Sequence, residues 1–377
     1  MLTVSCGVAL LAGAAAAQTS EIVSSELQAP SRVRLTPRGN LLVAENGIAL
    51  HQGRISLVTP SGSLRSVVEG LPSGQSPEGG FSGPTDAVVS GKTLYVLIGV
   101  GDVEGTGPTP GTTVPNPKGP SSILLSSLLA FRLPTDVDDI QSPFRMTPDW
   151  DLALWDGNVL KVKNETGQEA EVELIVDFRD TVPDPQKIYR GSNPYAIALR
   201  GDGSAYIADA SLDSILHVDL ATGRTRTVKR FPAIGNPTPV GPPRIDPVPN
   251  GIVPYGDGYL ITFLSGFPFA TGNGRIENFH PNTGVSDPFI FGLTMPIDIA
   301  VQQTSGNRPR FFVLEFSTNF LAQPPGPGRL LVYDTPESKV LKSDLVTPTS
   351  IALDSATGDL YITELATGKL LRVRTTR

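Results

Sequence analysis

Cysteine is all but missing from this chain. Cys6 is the single one among 377 residues, so an intrachain disulfide and any thiolate-built metal centre are excluded. Histidine is nearly as scarce: His51, His217 and His280 stand far apart, which argues against paired-histidine catalysis and a multi-histidine metal site. Apolar residues do not recur with a helical period over a dozen positions, so an alternating α/β architecture is not expected. Beyond the first seventeen residues no apolar run is long enough to cross a bilayer. Acids and bases are interspersed and the net charge is -7, so the basic face that nucleic acid requires is not expected either. Signature motifs are missing too: there is no His-Glu-x-x-His, no Gly-x-Ser-x-Gly and no dinucleotide fingerprint. Gly91-Lys92-Thr93 echoes a phosphate loop, but Asp86 stands where its first glycine belongs. Arg200-Gly201-Asp202 spells an adhesion tripeptide, yet it occupies a turn.

What is abundant is punctuation. Glycine (39) and proline (35) make up about a fifth of the chain, as expected for many short strands joined by tight turns. A unit recurs: a proline, a short alternating strand, a polar-glycine turn, and a second strand ending in a small or acidic residue. The last copy runs Pro348, Ile351-Ala352-Leu353, Thr357-Gly358-Asp359, Leu360 to Glu364, then Lys369 to Val373. Further copies begin at Pro30, Pro84, Pro194, Pro249 and Pro296. Hairpin repeats of roughly fifty residues are blades, which bury their faces only by packing radially. The chain therefore reads as an all-β protein, a six-bladed β-propeller.

Two features complicate that count. The interval from Pro84 to Pro194 is about twice the period, so residues from about 134 to 170 are an insertion, with Val172 to Phe178 as the outer strand of the second blade. The alternative is a seventh blade whose degenerate start is Pro148-Asp149-Trp150. The last unit also lacks an outer strand, which Ile22 to Leu27 can supply, closing the ring. Ahead of it, the apolar run Leu2 to Gly13 and Ala15-Ala16-Ala17 read as a signal peptide over residues 1–17, although no Lys or Arg precedes the run. The expectation is a single domain over 18–377, secreted to an extracellular or periplasmic location. Asn164-Glu165-Thr166 is a lone glycosylation sequon.

Several segments resemble the ScyD/ScyE family of secreted propellers. They are Gly83-Pro84-Thr85-Asp86, Leu94 to Gly99, Ser192-Asn193-Pro194-Tyr195, Leu264-Ser265-Gly266-Phe267-Pro268-Phe269 and Ile297-Asp298-Ile299-Ala300. The resemblance runs from about Leu27 onward and implies a secreted, six-bladed, NHL-like propeller. It brings no catalytic residues with it. The chain departs from the family in its short first unit and in the extra residues 134–170.

Chemistry, if there is any, belongs at the channel mouth, where residues just after the repeat prolines converge. These are Arg32, Asp86, Tyr195, Asn250, Asp298 and Thr349. Asp86, Asn250 and Asp298 offer oxygens to Ca²⁺, which would make the protein a lactonase- or esterase-like hydrolase. The competing reading makes the same carboxylates scaffold, paired with Arg32 or with backbone N–H groups, and needs no cofactor. A quinone-dependent sugar dehydrogenase would require a channel histidine that the sequence does not place. Glu45, Asp209, Glu315 and Glu364 recur at one repeat position, which points to a shared structural task. The long loops Gly99 to Ser122 and Phe231 to Val248 are candidate binding surfaces, and Phe267, Phe269, Trp150 and Trp155 are candidate apolar contacts or core. The leading expectation is a monomeric propeller that binds a partner or small molecule through its loop face.

Overall fold

Six sheets are arranged around one axis, each opening with one of the six repeat prolines. A computed structural model describes residues 20–77, 79–108, 112–179, 191–304, 308–335 and 337–375. The expected leader, with Cys6, lies outside the described residues. The innermost strands are Pro30–Leu35, Pro84–Ser90, Pro194–Leu199, Pro249–Tyr255, Pro296–Gln302 and Pro348–Leu353. The second and third strands follow outward, antiparallel and in sequence order, giving blades 1 to 6. In blade 6 the outermost strand is Ser20–Ser24, paired antiparallel to Lys369–Val373. The N-terminal closure of the ring is thus observed.

Proline suits the first position of an inner strand because no ladder partner there needs its missing N–H. All six inner strands then carry a β-bulge between the proline and the residue two further on. A bulge re-aims a side chain that strict alternation would send to the other face. Its effect is to bring the side chain after the proline into the seam with the next blade. Ser31 Oγ donates to the Pro84 carbonyl (2.6 Å) and Thr85 Oγ1 to that of Pro194 (2.7 Å). Asn250 Nδ2 donates to Pro296 (3.2 Å), and Thr349 Oγ1 crosses the closure to Pro30 (2.8 Å).

A second seam contact is steric. Gly53, Gly274 and Gly328 open the third strands of blades 1, 4 and 5, each against the proline ring of the next blade. A Cβ at any of them would sit far inside contact distance of that ring. Their φ angles are ordinary, so the requirement is for space alone. Gly274→Ala is expected to cost about 1–3 kcal/mol by overpacking, read as a lower urea midpoint. Gly235→Ala, where the added carbon meets open space, should leave the midpoint in place.

The recurring acids perform the shared structural task their spacing implied. Glu45, Glu315 and Glu364 each accept the backbone N–H of the residue two before their own blade's proline: Gln28, Thr294 and Val346. Asp209 accepts from Ser192 Oγ and the Asn193 N–H. Burial pushes the Glu45 carboxyl pKa up against the pull of Arg54, and burial likewise raises that of Asp209.

The doubled interval is an excursion and not a seventh blade. Pro148–Trp150 is a 3-10 turn leading into the short helix Asp151–Trp155, where a blade would need an inner strand. On either side lie two edge strands. Phe144–Arg145 runs parallel beside Leu64–Leu71 of blade 1, and Leu160–Lys163 runs antiparallel beside Glu169–Asp177 of blade 2. Val137, Ile140, Phe144, Leu154 and Val162 join one apolar cluster with both blades. The sequon asparagine, Asn164, is buried there, its amide donating to the Ser142 carbonyl at 2.9 Å, so it is not presented as a glycan acceptor. No helix among the described residues is long and apolar enough to cross a membrane.

Candidate functional site

Strand direction decides which loops share a face. Inner strands start, second strands end and outer strands end at the same side of an antiparallel blade. Connections from second to third strand, and from blade to blade, therefore emerge together. The long connections 72–83, 99–126, 231–248, 264–273 and 316–327 all belong to this set, with small β-ribbons standing in the first three. The opposite side holds mostly tight turns, apart from the excursion.

At the axis, beneath these loops, the sequence-predicted residues do meet. Arg32, from blade 1, is 2% exposed and reaches across the channel. Its Nη1 is 2.9 Å from Asp298 Oδ2 of blade 5, and its Nη2 donates to the Asn250 carbonyl of blade 4 at 2.8 Å. Its Nε is 3.9 Å from Asp86 Oδ2 of blade 2, and its Cζ lies 5.6 Å from the ring centre of Tyr195 of blade 3. Arg32 thus approaches four of the five other predicted channel-mouth residues. Thr349 is used up in the blade seam.

Both carboxylates are saturated by protein donors. Asp86 accepts from the N–H groups of Ala87 (2.9 Å) and Ile197 (3.1 Å), and from Arg34 Nε and Nη2 at 3.1 and 2.5 Å. Asp298 accepts from the N–H groups of Ile299 (2.9 Å) and Ile351 (3.1 Å) and from Ser350 Oγ (2.8 Å). Arg34 was missed in the sequence reading, although its i, i+2 spacing from Arg32 on a strand was the signal. Burial works against its cation, but Asp86 and the more distant Asp298 outweigh that and raise its pKa above the ordinary arginine value.

The set does not suit Ca²⁺. Two guanidinium groups stand among the carboxylates that would have to hold the ion, and the four charges cancel. The side-chain oxygen of Asn250 accepts from Thr262 Oγ1 at 2.7 Å and its amide is held in the seam. Ca²⁺ needs six or more converging oxygens, and here they are turned toward N–H donors. Among the described residues no group of three His, Cys, Asp or Glu is placed to hold a metal. None of the three histidines is on an innermost strand.

Beyond this plug, toward the opposite face, the inner strands line a cavity of about 230 Å³. Val33, Leu35, Val253, Val301 and Leu353 are among its walls, with Arg34 and Asp298 also lining it.

On the loop face the exposed chemistry is aromatic. Phe267 and Phe269 meet edge-on (6.1 Å between ring centres), Phe269 meets Phe320 (5.2 Å), and Phe320 meets Phe316 (5.8 Å). All four rings are half-buried, and Leu321 beside them is exposed. Phe269 sits at φ +57°, a left-handed conformation that a bulky residue adopts only when its surroundings hold it there. Phe316, Leu264 and Tyr195 pack on one apolar cluster, so this ledge adjoins the channel mouth. The Tyr195 hydroxyl makes no hydrogen bond among the described residues; burial raises its pKa and the Arg32 cation opposes that. Trp150 and Trp155 lie on the excursion instead, the latter beneath the Arg179 guanidinium at 4.5 Å.

No protein-family model matches the chain, and no curated protein matches it. Solved structures do resemble it. The PQQ-bound form of an aldose sugar dehydrogenase from Streptomyces coelicolor aligns over 94% of this chain and 96% of its own, with TM-score 0.51 and 15% identity. A luciferin-regenerating enzyme aligns over 95% of both chains, with TM-score 0.52 and 9% identity. At such identities the likeness speaks for the fold alone. The protein is a six-bladed β-propeller.

Proposed function

We propose that this propeller is an exported, monomeric binding protein that takes a partner or small molecule on its loop face without a cofactor. Its resemblance to the ScyD/ScyE propellers and its signal-like first residues support export. The observation that carries the binding role is the aromatic ledge of Phe267, Phe269, Phe316 and Phe320, which adjoins a channel mouth where the Tyr195 hydroxyl makes no hydrogen bond among the described residues. A rigid aromatic wall next to a single polar group is how small-molecule sites combine affinity with orientation. The charges below it are neutralised by one another, which favours scaffold over catalysis.

Thermal unfolding against a library of ring-bearing metabolites and sugars tests the proposal. A ligand at a hundred times its Kd stabilises the native state by about 2.7 kcal/mol. Compounds that raise the midpoint of the wild type should lose that effect in Phe269→Ala/Phe320→Ala. Ca²⁺ and EDTA should each leave the midpoint unchanged. A Ca²⁺-dependent rise that disappears in Asp86→Asn/Asp298→Asn would replace the binding role with the hydrolase.

A further inference from the structure

The outermost strand of blade 3 departs from the interspersed charge of the rest of the chain. Arg224, Arg226, Lys229 and Arg230 fall within seven positions, and Thr225–Arg230 contains no acid. Cross-strand register sets His217 opposite Arg226 and Tyr206 opposite His217, so these side chains line one face of the blade. Arg200, from the turn after the innermost strand, lies over the same Tyr206 ring (5.3 Å from Cζ to the ring centre) and donates to its hydroxyl at 3.3 Å. The His217 ring is edge-on to Tyr206 at 5.3 Å, and Tyr259 of blade 4 closes the far side of Tyr206 at 5.2 Å.

Neutralising charge is sparse here. The charged groups that face His217 are Arg226 on the outer strand, Arg200 and Asp202 at the turn, and Asp219 at the end of its own strand. Asp202 pairs with Arg200 at 3.1 Å and also caps Ser204. Asp219 is turned to the N–H groups of Ala221 and Thr222. Arg226 has no ion pair among the described residues. Burial, then Arg226 and Arg200, hold the His217 pKa below the ordinary histidine value.

We propose that this face of blade 3, at its border with blade 4, binds a tetrahedral oxyanion, a phosphate or sulfate group, between Arg200, His217 and Arg226. Planar guanidinium forks are the side chains best matched to such oxygens, and a half-buried site strengthens their charge-assisted bonds. Three donors arriving from three strands or turns suit a tetrahedral anion better than a flat carboxylate, which one fork satisfies. An arriving anion favours the imidazolium, so His217 takes up a proton on binding and becomes a further donor.

The test follows the His217 ring by NMR in the intact protein during titration with inorganic phosphate, inorganic sulfate or a monosaccharide sulfate. Sodium chloride at matched ionic strength is the reference. The expected result is a saturable shift with phosphate or sulfate, together with a higher His217 pKa. Stronger binding of the sugar sulfate than of either inorganic ion marks a sulfated glycan as the source, and the reverse marks free anion. Arg226→Ala, on an exposed edge where the fold does not depend on it, should weaken binding about tenfold. Arg200→Gln gives a second, independent loss. Shifts that chloride reproduces, or that persist unchanged in Arg226→Ala, would overturn the site.

Discussion

Arg32→Ala is expected to lower the unfolding free energy by about 3–5 kcal/mol, the usual consequence of stripping the partner from a buried charge. Arg32 reaches blades 2, 3, 4 and 5 from blade 1, and both carboxylates near it are buried. Its removal leaves the buried Asp298 with N–H and hydroxyl donors but without its ion-pair partner. The double variant Arg32→Met/Asp298→Asn removes both charges and should recover much of the loss, because neutral replacements of buried ion pairs are often tolerated. Urea unfolding of the three proteins decides the matter. A single-variant loss below about 1 kcal/mol would show that the plug contributes little to stability.

Deleting residues 18–28 should be comparably damaging, by about 3–6 kcal/mol from lost burial and lost ladder bonds. The Ser20–Ser24 strand completes blade 6, and Leu27 is buried with Leu41 and Tyr361 while its N–H donates to the Gly368 carbonyl at 3.1 Å. Gln28 also supplies the N–H that Glu45 accepts. The shortened protein would expose Lys369–Val373 as a raw edge, so self-association is expected along with the lower midpoint. Urea unfolding and size-exclusion chromatography check the two effects. An unchanged midpoint would mean that the ring holds without its closing strand.

The parts of this fold that were legible in the sequence are those that recur. A proline, a short strand and a polar-glycine turn repeated six times specify blades, because each copy alone has nowhere to bury its face. The acids that end the second strands were legible for the same reason. The Gly-Arg pairs Gly53-Arg54, Gly274-Arg275 and Gly328-Arg329 recur as well and were overlooked. The glycine clears the next proline, while Arg54 and Arg329 reach Glu45 and Glu315. The channel was read only in part. Arg32, Asp86, Tyr195, Asn250 and Asp298 lie together, and pairing of the carboxylates with Arg32 or backbone N–H groups was one of two readings, but Arg34, Ser350 and Thr262 were not anticipated as partners. Which donors saturate a carboxylate depends on neighbouring blades up to several hundred residues away, as with Arg32 and Asp298. Arg34 was signalled only by its i, i+2 spacing from Arg32, and the aromatic ledge does not recur from blade to blade. The excursion, expected at about 134–170, was visible as a doubled interval, yet its two edge strands are too short to betray themselves by alternation.

Arg32, Asp86 and Asp298 are buried where the inner strands converge, and Arg34 and Asp298 also line the cavity on the opposite side. The same charges thus lie between the loop face and that cavity and form part of the cavity wall, so a substitution among them alters both the blade contacts and the cavity lining.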